Sequence, residues 1–378
     1  MTERSLHTRR GVLASGTALL GSLAGCADAL RDGDDVPTPA LDEFRGDTRL
    51  VGERPVPGGP RIDSLPGLDG RLTVYLAESA SDRYERLVAL FERTYPGFEP
   101  TLRIEPAAVL VAALREQAEA GNVRADVFLA TDAAAVDALA DDDLTAPLSD
   151  DVAARVPPRF RPTDTWVGVG AHSRALAYDA TAFDAGGVPT SIDAVASEVP
   201  ASIAWAPRSY GFRTFVTALR SLAGREAARE WLLAVLAADT ETVDGEFFAA
   251  NAVARGDAAL ALCSHQDVLR VRAGRPDAGP GLAFTENDAG ALVNATAAAV
   301  LRASNATTLA HRFVRHLLSA EAQEYVATDA LAYPVTPGVE PVAALPPLDA
   351  LTPPAVSLAA LGDVRPTTSL LREVGVLP

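Results

Sequence analysis

Over residues 72–140 short apolar runs alternate with stretches of helical period, and that order dictates a parallel sheet. The run at 72–76 reads as a buried strand. It is followed by Tyr84, Leu87, Val88, Phe91 and Tyr95, spaced for one helix face, with Ser79 or Ser81 as caps and Pro96-Gly97 as a stop. Residues 102–104 and 125–130 read as further strands. Residues 107–120 and 132–140 read as helices, the first closed by Gly121-Asn122. Strands joined through helices run parallel, with helices on both faces. The expected class is α/β. Ligands of such sheets sit beyond the C-terminal strand ends, which singles out Glu78, Ser79, Thr131 and Asp132.

A second block repeats the pattern. Residues 175–178, 203–205 and 258–263 read as strands, 212–222 and 226–236 as helices. The apolar stretch 291–301 reads as a long strand that returns the chain to the first block, ahead of helices at 308–318 and 320–328. The segment Ser209-Tyr210-Gly211 precedes a helix, whose N-terminus suits an anion. His265 and Asp267 follow the strand at 258–263. Two apart on an extended segment, they would point the same way. Plainer roles stand beside these. Asp132 and Ser209 also suit helix caps, Tyr210 an aromatic lid, and His265 and Asp267 a solvated loop. Cys263 ends an apolar strand and reads as a small buried hydrophobe, not a thiol nucleophile. His311 and His316 are five apart, off a common helix face. Asn294 and Asn305 open glycosylation sequons, and Asn305 is the better placed, in a loop.

Composition narrows the chemistry. The 378 residues carry 50 acids against 33 basic residues, all arginine, for a net charge of −17. An acidic surface disfavours nucleic acid. Without lysine there is no Walker A loop and no lysine Schiff base. Thr8-Arg9-Arg10-Gly11 leads into an apolar run over 11–24, too short to span a bilayer, then Leu23-Ala24-Gly25-Cys26. This reads as a twin-arginine export signal whose end resembles a lipobox, with Cys26 as the lipidated residue. Cleavage before Cys26 removes Glu3, Arg4, Arg9 and Arg10 and takes the mature charge to −19. Such a lysine-free acidic surface resembles that of proteins from extreme halophiles. With Cys26 lipidated, Cys263 has no disulfide partner.

Several segments in order resemble the periplasmic solute-binding proteins of ABC importers, in the ferric-iron branch. They are Ala125-Asp-Val-Phe-Leu-Ala-Thr-Asp, Trp166-Val-Gly-Val, Ile203-Ala-Trp-Ala-Pro, Phe212-Arg-Thr-Phe-Val-Thr-Ala-Leu-Arg, Gly290-Ala-Leu-Val-Asn, Arg312-Phe-Val-Arg-His-Leu-Leu-Ser-Ala-Glu-Ala-Gln and Tyr333-Pro-Val-Thr-Pro-Gly-Val-Glu-Pro. The resemblance covers residues 71–378. It implies the type II periplasmic-binding-protein fold, two lobes joined by crossing hinge strands and closing on a ligand. The expected division is a signal at 1–26, a flexible tether at 27–70, one lobe from 71–175 and 292–345, the other from 176–291, and a tail at 346–378 packing on the body. It also implies an ABC permease as partner; the N-terminal signal implies an exported protein lipid-anchored on the outer face of the cytoplasmic membrane, and a monomer is expected. No cofactor is expected; Fe(3+) or an iron complex would be cargo.

Ferric members of that branch place two consecutive tyrosines where this chain has Ser264-His265-Gln266-Asp267. Their histidine after the first strand aligns with Ser79, and their glutamate after the third with Thr131. The metal candidates left are Tyr210, His265 and Asp267, inside a wider ligand set of Glu78, Ser79, Thr131, Asp132, Ser209 and Gly211. Thiamine and polyamines are alternative cargoes, since related proteins carry them. An extracellular enzyme is the alternative of another class, but no Gly-x-Ser-x-Gly or His-Glu-x-x-His motif is present. A surface adhesion or sensory protein with a degenerate cleft is the third reading.

Overall fold

The apolar run after Gly70 forms β1 (Gly70–Ala77), whose last four residues are all buried, in a computed structural model that describes residues 40–183, 186–199, 202–275 and 277–378. Helix α1 (Glu78–Thr94) starts at once and buries Tyr84, Leu87, Val88 and Phe91. Strand β2 (Phe98–Glu105), helix α2 (Ala107–Glu119), strand β3 (Val127–Ala130) and helix α3 (Ala133–Asp141) follow. Strand β1 pairs parallel with both β2 and β3. Each large apolar side chain buried between sheet and helices contributes about 1.5–3 kcal/mol.

Past the short helix α4 (Asp150–Ala153), the twelve-residue strand β4 (Val167–Tyr178) joins the two halves. Helix α5 (Ile192–Glu198), strand β5 (Ile203–Trp205), helices α6 (Tyr210–Ala223) and α7 (Arg225–Ala237), and strand β6 (Thr240–Thr242) come next. Helix α8 (Glu246–Arg255), strand β7 (Leu260–Ser264), helix α9 (His265–Gly274) and strand β8 (Gly281–Ala283) complete this half. Strand β9 (Val293–Val300) and helices α10 (Thr307–Leu317) and α11 (Ala320–Thr328) lead to a C-terminal helix, α12 (Arg365–Glu373).

Among the described residues the strands form one mixed sheet in the order β2-β1-β3-β9-β4-β7-β5-β6, with β8 on β4. The sequence order alone suggests only parallel pairing; β9 and β4 break it, since β9 runs antiparallel to both β3 and β4. Strand β4 changes partners midway. Val167 to Ser173 pair with β9, whereas Arg174 to Tyr178 pair with β7. These two strands are the crossing segments of an α/β fold with two lobes. One core gathers around Phe91, Phe98, Phe128, Trp166 and Phe313, a second around Trp205, Phe212, Phe215 and Trp231.

One segment departs from expectation. The stretch expected to be a tether up to residue 70 is packed on the first lobe from residue 40 onward. Phe44 and Ile62 are fully buried. The guanidinium of Arg54 donates to both carboxylate oxygens of Glu324, at 2.8 and 3.0 Å, and to the Pro341 carbonyl at 2.9 Å. Arg61 lies 3.0 Å from Glu321, whose other oxygen accepts from the Ile62 amide at 2.9 Å. Glu321 and Glu324 are buried on α11 and need counter-ions, and this strap supplies them. The rest of that tether, the export signal and Cys26 lie outside the described residues. The tail reaches both lobes: Leu361, Leu370 and Leu371 are buried in the second core, and Gly362 lies against Ala134 of α3.

Candidate functional site

A cavity of about 260 Å³ opens where the two lobes and the crossing strands meet. Its walls combine Ser79 and Arg83 of α1 and Thr131 after β3 with the start of α6 (Ser209, Tyr210, Gly211 and Thr214) and with Glu246 of α8. Ser264, Gln266 and Asp267 at the start of α9 close another side, and His172, Arg174 and Asn294 come from the crossing strands. The site is therefore built from strand ends and helix starts, as expected for a sheet of this class.

Local chemistry fixes each wall. The Ser209 hydroxyl caps α6 by accepting from the Phe212 amide at 3.0 Å and donates to Glu246 at 2.7 Å. The other oxygen of Glu246 accepts from Arg174 at 2.6 Å, a buried ion pair. Gly211 leaves room for it: a Cβ there would sit 2.6 Å from the Glu246 carboxylate and 2.9 Å from the Arg174 guanidinium. Ser264 caps α9 through the Asp267 amide and donates to the Asp267 carboxylate at 2.9 Å. Ser79 and Thr131 bridge hydroxyl to hydroxyl at 2.5 Å.

Across the cleft, the Tyr210 hydroxyl donates to Asp132, the cap of α3. The other oxygen of Asp132 accepts from Asn294 at 3.2 Å and from the Ala134 amide at 3.3 Å. Burial pushes the Asp132 carboxyl up despite these donors. Burial, and then the Asp132 carboxylate, push the Tyr210 phenol up. Burial, and then Glu246, also raise Asp267. Burial drives the His172 imidazole down to about 3, so it is neutral at pH 7.

The structure gathers Ser79, Thr131, Ser209, Tyr210, Gly211 and Asp267 around this cavity, and Asp132 borders it through Tyr210. Glu78 does not join them; it is exposed at the first position of α1. His265 is no candidate ligand. It opens α9 instead of continuing β7, and on a helix two residues apart point to different sides. Its ring is fully buried. Nδ1 accepts from the Ser173 amide at 3.0 Å, and Nε2 faces the Leu331 carbonyl at 3.0 Å, which sets the tautomer. Asp267 alone of that pair lines the cavity. Among the described residues no three His, Cys, Asp or Glu side chains converge as a metal site. Cys263 is buried, as its apolar run suggests.

Arg83, His172, Arg174, Glu246 and Asn294 were not among the sequence candidates. Arg83 sits in a run of charges, Asp82, Arg83, Glu85 and Arg86, that reads as a solvated face. One signal marks it: it lies four residues after Ser79, on the same helix face.

A family model described as bacterial extracellular solute-binding protein matches residues 86–351. The Fe(3+)-binding periplasmic protein of Serratia marcescens is 29% identical over 259 residues, 67% of this chain and 76% of the relative. The major ferric iron-binding protein of Neisseria meningitidis serogroup B is 29% identical over 220 residues, 56% of this chain and 65% of its own. The crystal structure of iron-bound HitA from Pseudomonas aeruginosa superposes with a TM-score of 0.71 at 27% identity, covering 82% of this chain and 100% of HitA. The ferric binding protein from Campylobacter jejuni, at 18% identity and a TM-score of 0.69, shares the fold. With its two-lobed α/β architecture and a family match over most of its length, the chain belongs to the bacterial extracellular solute-binding proteins.

Proposed function

We propose that this protein is the solute-capturing lipoprotein of an ABC importer. It closes its lobes on a small solute, iron in complexed form first, and hands it to the permease in the membrane. One observation carries this reading: a single cavity takes walls from both lobes and from both strands that connect them. A solute there touches every part that moves in hinge closure. Relatives that bind ferric iron support iron as cargo. The site argues for a complex over the bare ion, because Tyr210 is engaged with Asp132 and His265 faces away. The role is binding, not catalysis, and the protein acts as a monomer anchored through Cys26 on the outer face of the cytoplasmic membrane.

The test is metal analysis and native mass spectrometry of protein purified from its own host at its own salt. Iron at near one per chain, with accompanying mass from its ligands, is the expected result. Protein that carries no iron and gains none from a ferric complex would remove iron as cargo. For the anchor, Cys26→Ser should release the protein into the medium or stall its processing. Unchanged membrane retention with normal cleavage would remove the lipid anchor.

A further inference from the structure

We propose that the cleft selects an acidic solute, one carrying a carboxylate or phosphate group, and that the Arg83 guanidinium is the counter-ion of that group. This rests on the reading of the cleft as a solute-capturing site and names the chemistry of what it captures.

The acidic groups of the cavity already have partners. Glu246 is satisfied by Arg174 and by the Ser209 hydroxyl. Asp267 is held by Ser264, and Asp132 by Tyr210, Asn294 and the Ala134 amide. The Gln266 amide donates to the Ala330 carbonyl at 2.7 Å, and the Thr214 hydroxyl to the Tyr210 carbonyl at 3.0 Å. Arg83 is different. It lines the cavity, yet it forms no ion pair and donates no hydrogen bond among the described residues.

Charge points the same way. Burial pushes Asp132 and Asp267 toward their neutral forms. It lowers Arg83 too, with Asp267 opposing, but a guanidinium keeps its proton in proteins. A half-buried cation without a counter-ion in the cavity wall is costly until an anion reaches it. Arg83 also presents a planar fork suited to a carboxylate or phosphate. Around it stand groups that suit a bound acid: the hydroxyls of Ser79 and Thr131 and the neutral ring of His172. The starts of α6 and α9 add their positive dipole ends. A bare ferric ion would meet this guanidinium as a like charge. An iron atom already wrapped in an acid's oxygens would not.

The experiment uses the full chain in a buffer free of carboxylate and phosphate. Calorimetric titration and thermal melting are run with citrate, succinate, inorganic phosphate, ferric citrate, thiamine and spermidine. The proteins are wild type, Arg83→Gln, Arg83→Lys and Arg71→Gln, whose exposed side chain is remote from the cleft. At least one acidic probe should bind and raise the melting midpoint. Arg83→Gln should weaken that probe at least tenfold, Arg83→Lys should keep part of it, and Arg71→Gln should match wild type. The ligand-free Arg83→Gln protein should melt no lower than wild type, since it loses an unpaired charge and no bond. Binding of thiamine or spermidine with none to the acids overturns the acidic class and leaves solute capture standing. Equal affinity of an acid for wild type and Arg83→Gln removes Arg83 from the site. Silence of every probe overturns both this proposal and solute capture in the cleft.

Discussion

The hydroxyl of Tyr210, at the first position of α6, donates to the carboxylate of Asp132, the cap of α3, and so ties one lobe to the other across the cleft. A cargo in the cleft adds its own contacts to this bond. Tyr210→Phe removes the donor and keeps the ring. The ligand-free variant should open, seen as a larger radius of gyration in solution scattering. Its stability should fall by about 1–2 kcal/mol. Identical scattering curves would mean that other contacts hold the lobes.

Asp132 gives the same contact a pH signature. Burial raises its carboxyl in the fold, so the folded state holds a proton that the unfolded chain has lost. Its favourable contribution is complete below the ordinary carboxylate range and fades as pH climbs through the raised value. Asp132→Asn keeps an acceptor for Tyr210 without the charge. It should gain stability relative to wild type as pH rises above the ordinary carboxylate range, read from denaturant melts. A gap that stays constant across that rise would contradict the assignment.

Histidine works in the opposite direction. Burial lowers His265 to about 4 and His316 to about 4. Both are neutral in the fold, so their contribution is present above pH 6.5 and is lost as pH falls toward 4. Each should cost about 1.4 kcal/mol per pH unit over that interval. His265→Gln should start less stable at pH 7.5, having lost a ring that bonds at both nitrogens, and should decline less on acidification. Parallel declines in the two proteins would show that His265 does not titrate there.

The strap offers a contrast between buried and exposed ion pairs. Arg54→Ala leaves buried Glu324 with one cation, Arg45 at 2.8 Å. A loss of about 3 kcal/mol is expected. Arg71→Ala breaks only an exposed pair with Glu99 and should change stability by less than about 1 kcal/mol. Gly46→Ala should also loosen the strap, because its Cβ would fall 2.4 Å from the Thr328 carbonyl oxygen. Proteolysis between residues 40 and 70 reads the loosening directly. Equal resistance of all three variants would mean that the strap is held by Phe44 and Ile62 alone.

The acid excess predicts a salt response. With a net charge of −17, self-repulsion should lower the melting point at low ionic strength. The midpoint should climb with KCl in wild type and in Tyr210→Phe alike, since the repulsion belongs to the whole surface. A flat profile would argue against adaptation to high salt.

The sequence made the sheet-and-helix order readable because its buried elements have clear periods. Tyr84, Leu87, Val88 and Phe91 give α1 away, and the apolar run at 258–263 gives β7. The start of α9 was obscure because β7 passes into it without a turn, so His265 and Asp267 read as strand continuation. Helix α8 was obscure for another reason. Its buried face is small, Ala249, Ala250, Ala252 and Val253, while Phe247 and Phe248 face outward. Losing α8 meant losing Glu246, and with it the reason for Gly211. The strap looks like a tether in sequence because a few apolar anchors, Phe44 and Ile62 foremost, sit among many Pro, Gly and Asp residues.

The bond from Arg54 to Glu324 spans 270 positions of chain, and that separation orders events during synthesis. A ribosome delivers the strap early and α11 near the end, at about 5–20 residues per second. Until then Phe44, Ile62 and the arginines of the strap have nothing to bind. The second lobe waits as well, because its core takes Leu361, Leu370 and Leu371 from the tail, and the first must receive β9 between β3 and β4 before its sheet is whole. Neither lobe is therefore complete until the last residues are made. A chain cut short before residue 320 would carry a second lobe without its tail and a first lobe with its earliest residues unclasped and open to proteases.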